Sequence, residues 1–258
     1  MKKSIRSKIE CPTHLSQGQE KDMNQENTGF FDQHSEFLET GQAATFLNRL
    51  NVRHKALIES HIDQIAGKRI IDLASHDGRW SCAALKAGAA HVLGIEGREQ
   101  LARTAETNLR TSGIESDRYP FVTGDVLDVL AGLPAGIADT VFCFGFFYHT
   151  MHHWRLAREL RRLKARWVIL DTNISARKAP VIQLKTEPAS LGKNAIGDFD
   201  QDTTPLVGLP SKAAVTLLFE QAGFAVRYLS WSDIAPASWD YLHDYRNGSR
   251  VTALMRRL

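Results

Sequence analysis

Asp72, Glu96 and Asp125 follow one another along the chain, each closing a short apolar run: "RIIDL", "VLGIE" and "FVTGD". A carboxylate at the tip of a buried strand can accept hydrogen bonds from both hydroxyls of a ribose. This is the logic that puts an acid at the end of the second strand in nucleotide-binding folds. Glu96 has that position, Asp125 can receive an adenine amino group, and Val126 can flank the ring. A different chemistry is offered by "FGFFYHTMHHW", Phe144 to Trp154. Phe146, Phe147 and Tyr148 can wall a reacting centre and exclude water from it. His149 is the candidate base, because a neutral imidazole is available near pH 7. His152 and His153 follow too closely to share its orientation. A metal is not expected, since the histidines lack a carboxylate pattern of H-E-x-x-H type.

The elements that must carry these residues alternate. Strands are expected at Arg69–Leu73, His91–Ile95, Phe121–Val122, Ala138–Phe147 and Arg166–Asn173, with helices between them over 78–87, 98–111, 126–130 and 154–164. Continuous apolar strands alternating with helices imply a parallel sheet covered on both faces. After a polar, proline-containing break at 175–210, a helix capped by Ser211 runs to Ala222, the strand "FAVRYLSW" follows, and "RVTALMRR" is the last strand. The fold class expected is α/β: a Rossmann-like, doubly wound, seven-stranded, mostly parallel sheet with helices on both faces and an N-terminal helical cap. Residues 1–34 are expected as a flexible tail and 35–258 as one domain. Within it, two helices over 35–66 form the cap and 175–210 an insertion or lid.

In such a sheet the ligand lies beyond the carboxyl ends of the strands. The turn after the first strand reads "DLASHDG", with Gly78 alone where a dinucleotide site needs three glycines. A pyrophosphate is therefore disfavoured and a smaller ligand favoured. Asp77 is either a ligand contact or the cap of the helix that starts near Gly78.

The stretches "IIDLASHDGRWS", "VLGIEGREQLARTAETN", "FVTGDVLD" and "TVFCFGFFYHTMHHW" together resemble the class I S-adenosylmethionine-dependent methyltransferases, over about Arg69 to Leu258. The resemblance implies S-adenosyl-L-methionine as cofactor and S-adenosyl-L-homocysteine as product. By it, Asp72 and the Ala74–Gly78 turn, His76 included, hold the methionine end. Glu96 with Gly97 holds the ribose, Asp125 and Val126 hold the adenine, and Phe144 and Gly145 complete the cofactor site. The departure from the family is the turn itself, where Ala74 and His76 replace glycines. A looser similarity links "YH" and "VILDTN" to a subgroup containing tRNA wobble-uridine methyltransferase-like proteins and small-molecule methyltransferases.

His149 and Tyr148 are thus the catalytic candidates. Phe147, Arg53, Tyr245 and Arg246 are the substrate-binding ones, drawn from basic stretches that also supply Arg49, Asn51, Tyr241 and Arg250. The expected reaction moves a methyl group to an oxygen or nitrogen of a small molecule. An RNA substrate is not favoured: the Arg-rich helix near Arg155–Arg166 spreads its charge around the axis, and no RNA-binding module accompanies it. The fold would also serve a non-catalytic binding protein or a nicotinamide-dependent oxidoreductase, the latter disfavoured by the missing glycines. With 258 residues, 43% of them hydrophobic, and a net charge of +3, the composition is that of a soluble globular protein. Its three cysteines, Cys11, Cys82 and Cys143, form no CxxC pair, which suits a reducing cytoplasm. There is no signal-peptide pattern and no membrane span. A cytoplasmic monomer or homodimer is expected.

Overall fold

The computed structural model describes residues 29–39, 46–190, 194–196, 203–234 and 236–258. Its strands are β1 (Arg69–Leu73), β2 (His91–Glu96), β3 (Phe121–Thr123), β4 (Thr140–Phe144), β5 (Trp167–Asn173), β6 (Ile182–Thr186), β7 (Leu206–Pro210), β8 (Phe224–Tyr228) and β9 (Arg250–Arg257). Seven of them form one sheet in the order β3-β2-β1-β4-β5-β9-β8. The first five run parallel, and β9 enters antiparallel between β5 and β8. The chain order reverses between β1 and β4, so the crevice of the sheet opens at their carboxyl ends.

The helices of this alternation are α3 (Arg79–Lys86), α4 (Glu99–Thr111), α5 (Val126–Gly132), α6 (His153–Arg162) and α7 (Lys212–Gln221). They end as their sequences direct. Ser211 caps α7 by accepting from the amide of Ala214, and Asp125 caps α5 by accepting from Leu127 and Asp128. The arginines of α6 fasten chain ends: Arg162 donates to the carbonyls of Leu130 and Leu133, and Arg161 to those of Gly223 and Leu258.

Each face of the sheet has its own core. One is built on Val141, Cys143, Leu160, Phe219 and Met255. The other is built on Phe142, Ile169, Trp80, Leu109 and the N-terminal segment. Two helices are expected over 35–66, and α1 (Leu47–Leu57) and the short α2 (Ile62–Ile65) lie there, with 3-10 turns at Ser35–Phe37 and Glu59–His61 among the described residues. Most of the expected tail lies outside the described residues, but Phe30–Asp32 forms a turn and Phe31 is fully buried, edge-on to Trp80. A phenylalanine with that much apolar area to hide ties down a segment whose polarity otherwise reads as tail.

The 175–210 stretch is also more regular than a loop. β6 and β7 pair as an antiparallel hairpin outside the main sheet. Two further short helices, α8 (Trp231–Ile234) and α9 (His243–Arg246), lie between β8 and β9. Among the described residues no helix is long and apolar enough to cross a membrane.

Candidate active site

A cavity of about 680 Å³ opens at the carboxyl ends of β1, β2 and β4, within the range of small-molecule sites. Its walls divide into two halves.

The first half is made by the turn after β1 and the tips of β2 and β3. Ala74 and His76 have φ of 51° and 54°, the left-handed region that favours glycine. The backbone thus keeps the path that glycines would give while carrying two side chains in a conformation they rarely adopt. Glu96 holds it there. Its carboxylate accepts from the amide of His76 at 2.8 Å and from that of Arg98 at 3.0 Å. Ala74, Ser75, His76, Glu96, Gly97, Asp125 and Val126 all line this half. The capping oxygen Oδ1 of Asp125 is engaged with α5, which leaves Oδ2 for a ligand.

Three of the expected contacts lie elsewhere. Asp72 is buried under the turn, where it accepts from the Ser81 hydroxyl at 2.7 Å. Burial, with like charge from Glu96 and Asp77, pushes its carboxyl up to about 7. Gly78 has φ of 78° and starts α3; a Cβ there would stand 2.7 Å from Leu109 and 2.9 Å from Ala105, so its role is packing. Asp77 is paired with Arg79 at 2.5 Å, below the cavity.

The second half is made by α1, the segment after β4, β9 and the hairpin. Phe144, Gly145, Phe146, Tyr148 and His149 line it, with Arg49 and Arg53 from α1 and Arg250 from β9. Phe147 does not. It is fully buried against His153 and Phe219, at the start of a 3-10 turn over Phe147–His149 whose other two residues line the cavity. Tyr245 and Arg246 do not line the cavity either. Tyr245 is buried behind it, its hydroxyl donating to Asp171 at 2.8 Å. Asp171 is fully buried in β5 and also accepts from Arg53 at 3.1 Å, from Thr252 at 2.9 Å, and from Arg250 Nε at 2.6 Å. Burial alone would raise this carboxyl, but the Arg250 and Arg53 guanidiniums hold it down at about 2. An acid inside an apolar strand needs such partners. "VILDTN" carried that signal in the sequence, yet nothing local said which residues would answer it.

Sequence reasoning also missed Glu187. It follows β6, is nearly buried, and meets His149 Nδ1 at 2.5 Å. Burial lowers the His149 pKa, against the opposing pull of Glu187. The imidazole is therefore neutral near pH 7. Asn194, Ala195 and Ile196 roof the cavity, with Pro205 and Leu206 beside them. Arg98 donates to the Asn194 carbonyl at 3.0 Å and ties that roof to the tip of β2.

Two buried polar atoms of the lining, Ser75 Oγ and Arg53 Nε, have no hydrogen-bond partner in the protein. Groups left in that condition suit a ligand with polar ends. In the first half the Glu96 carboxylate and the tip of β3, with Asp125, stand together in the lining.

Residues 70–166 match the model of a family described as a methyltransferase domain. No curated protein matches the sequence. Several solved structures share the fold. One is the N-terminal domain of EvdMO1 in the presence of SAH and D-fucose: 18% identity, TM-score 0.57, covering 78% of this chain and 81% of that one. A second is an S-adenosylmethionine dependent methyltransferase from Mesorhizobium loti: 16% identity, TM-score 0.56, 81% of this chain and all of that one. A third is magnesium protoporphyrin IX methyltransferase from Synechocystis PCC 6803 with bound SAH: 18% identity, TM-score 0.56, 88% and 94% covered.

Proposed function

We propose that this chain, whose residues 70–166 match the model of a methyltransferase domain, is an S-adenosylmethionine-dependent methyltransferase that passes the methyl group to an oxygen or nitrogen of a small molecule. The observation that carries the acceptor's size is the cavity, about 680 Å³ and lined on one side by the 194–196 segment. That space suits one nucleoside-bearing cofactor with a compact partner beside it. A folded RNA would need a broad, open basic face.

The cofactor supplies a methyl group on a positively charged sulfur. The chain's residues align the partners and exclude water. Glu96 holds the ribose hydroxyls, Asp125 and Val126 hold the adenine, and Gly97 lets the cofactor approach the tip of β2. Ala74, Ser75 and His76 line the methionine end, and Phe144 and Gly145 close the site at the tip of β4. Tyr148 and Phe146 wall the transfer path. Arg53 orients an acceptor or the cofactor's own carboxylate. His149, neutral by burial, takes the acceptor's proton. We assign residues 29–258 to one domain that works in the cytoplasm, as a monomer or homodimer.

Calorimetry with S-adenosylmethionine and S-adenosylhomocysteine tests the cofactor half, with micromolar binding expected. Transfer of a labelled methyl group into small-molecule extract, against total tRNA, tests the acceptor. Label found mainly in the tRNA, with an affinity that falls steeply with salt, would replace the small-molecule proposal with the RNA one.

A further inference from the structure

The hairpin of β6 and β7 is fastened to the same short segment that carries His149. The Gly208 amide donates to the Thr150 carbonyl at 3.1 Å, and His153 Nε2 meets the Gly208 carbonyl at 2.9 Å. A Cβ on Gly208 would stand 2.6 Å from His153 Cε1 and 2.6 Å from Ile182 Cγ2, so only glycine permits this seat. Every residue of β6 is exposed. The hairpin is therefore a flap held mainly along β7. Just past β6 its chain turns inward, and Glu187 is nearly buried against His149.

We infer that Glu187 is the positioning residue of the methyl-transfer site: carried in by the seated hairpin, it fixes His149 with Nδ1 protonated and Nε2 free to accept a proton. This rests on the methyltransferase reading and adds the device that assembles its base.

The geometry gives three grounds. The two ring nitrogens lie on opposite sides of the imidazole, so engaging Nδ1 presents Nε2 to the cavity that His149 lines. Glu187 is held in turn by Lys185 Nζ at 2.7 Å, which fixes the carboxylate. The other charged group near the ring is Arg250 of β9, and Tyr148 lies beside it on the same turn. The Lys185 and Arg250 cations disfavour a second positive charge on the imidazole, while Glu187 stabilises the imidazolium once the proton arrives. In the step itself, the acceptor's proton moves to Nε2. The acceptor's lone pair forms the bond to the methyl carbon, and the carbon–sulfur bond breaks with its electrons staying on sulfur. A hairpin that lifts removes Glu187, and the base loses its orientation without any change in the cofactor half.

The test is nitrogen NMR of histidine-labelled protein saturated with S-adenosylhomocysteine, with saturation checked by calorimetry. The wild type is expected to show His149 as the Nδ1–H tautomer through neutral pH. In Glu187→Gln its titration should move to lower pH and the tautomers should mix. Glu187→Asp should restore part of the wild-type pattern, and Gly208→Ala, which unseats the hairpin, should mix the tautomers as the glutamine variant does. A wild-type Nε2–H tautomer would overturn the inference by itself, whatever the variants do. So would an unchanged tautomer and titration in Glu187→Gln. Failure to bind S-adenosylhomocysteine at the calorimetric step would instead strike the methyltransferase reading, which keeps the two failures apart.

Discussion

Asp72 in β1 and Asp171 in β5 are both buried near the carboxyl ends of their strands, yet they titrate in opposite directions, to about 7 and about 2. The cause is their company. Asp72 has one hydroxyl donor, Ser81, and two like charges, Glu96 and Asp77. Asp171 has two guanidiniums and two hydroxyls. Neither acid lines the cavity, but the lining beside each differs too: Glu96 and Asp125 make an acidic end on the side of Asp72, and Arg49, Arg53 and Arg250 make a basic end on the side of Asp171. The acidic end suits a donor carrying a positive sulfur. The basic end, where Arg53 and Arg250 share one carboxylate, suits an acceptor that is neutral or negative and repels an ammonium.

The comparison can be broken at its stiffest point first. Asp171→Asn leaves two guanidiniums buried without their counter-charge. A loss of about 3–5 kcal/mol is expected for such a change, read as a fall of roughly 10 °C in the thermal midpoint. A fall of only a degree or two would mean that the buried pairs contribute little.

Glu96→Ala comes next and acts on affinity. Removing a charged acceptor should weaken S-adenosylhomocysteine binding by about 1.5–3 kcal/mol, roughly tenfold to a hundredfold in Kd. The His76 amide also loses its partner, so the turn should loosen. Unchanged calorimetric affinity would refute the ribose assignment.

The pH dependence sharpens the contrast. Asp72 has a folded pKa raised above its unfolded value, so the folded state binds the extra proton. Its contribution to stability is greatest below about pH 4 and is lost as pH rises towards 7. Asp171 has a depressed folded pKa, and its contribution is complete above about pH 4 and lost as pH falls towards 2. Burial lowers the pKa of His54, His61, His91, His149 and His153, which adds a rise of stability with pH in the same range. The Asp72 contribution is therefore read as a difference: from pH 5 to 8 the thermal midpoint of Asp72→Asn should climb relative to that of the wild type. If the difference between the two stays constant with pH, Asp72 is not the source of the contrast.

The smallest effect belongs outside both ends. Arg155 meets Asp128 at 3.0 Å with both side chains exposed, and Arg155→Ala should change stability by less than about 0.5 kcal/mol. A larger change in a denaturant titration would show that charge pairs here are worth more than their exposure allows, and the order of effects would need revision.

Much of the acidic end was legible in the chain. Glu96, Asp125 and the turn after β1 lie within one run of alternating strands and helices, so their order along the sequence is their order across the sheet. Local hydrophobic pattern fixes such strands. Even there the left-handed backbone at Ala74 and His76 was hidden, because those residue types do not advertise it. The basic end was not legible as a unit. Asp171 draws its partners from positions 53, 245, 250 and 252, and His149 finds Glu187 across 38 residues. Phe147, Tyr245 and Arg246 were misplaced for the same reason: composition marks a residue as useful, not which way its backbone turns it.

The sequence by itself determined the parallel α/β sheet, the switch point and the acids at the strand tips, since apolar periodicity and chain order decide these. Only the tertiary structure decided the charge pairs, the antiparallel entry of β9 beside β5, and the seating of the hairpin over His149. Those depend on which distant segments share a buried space, where an unpaired charge is too costly to persist and its partner must come from wherever the fold brings one.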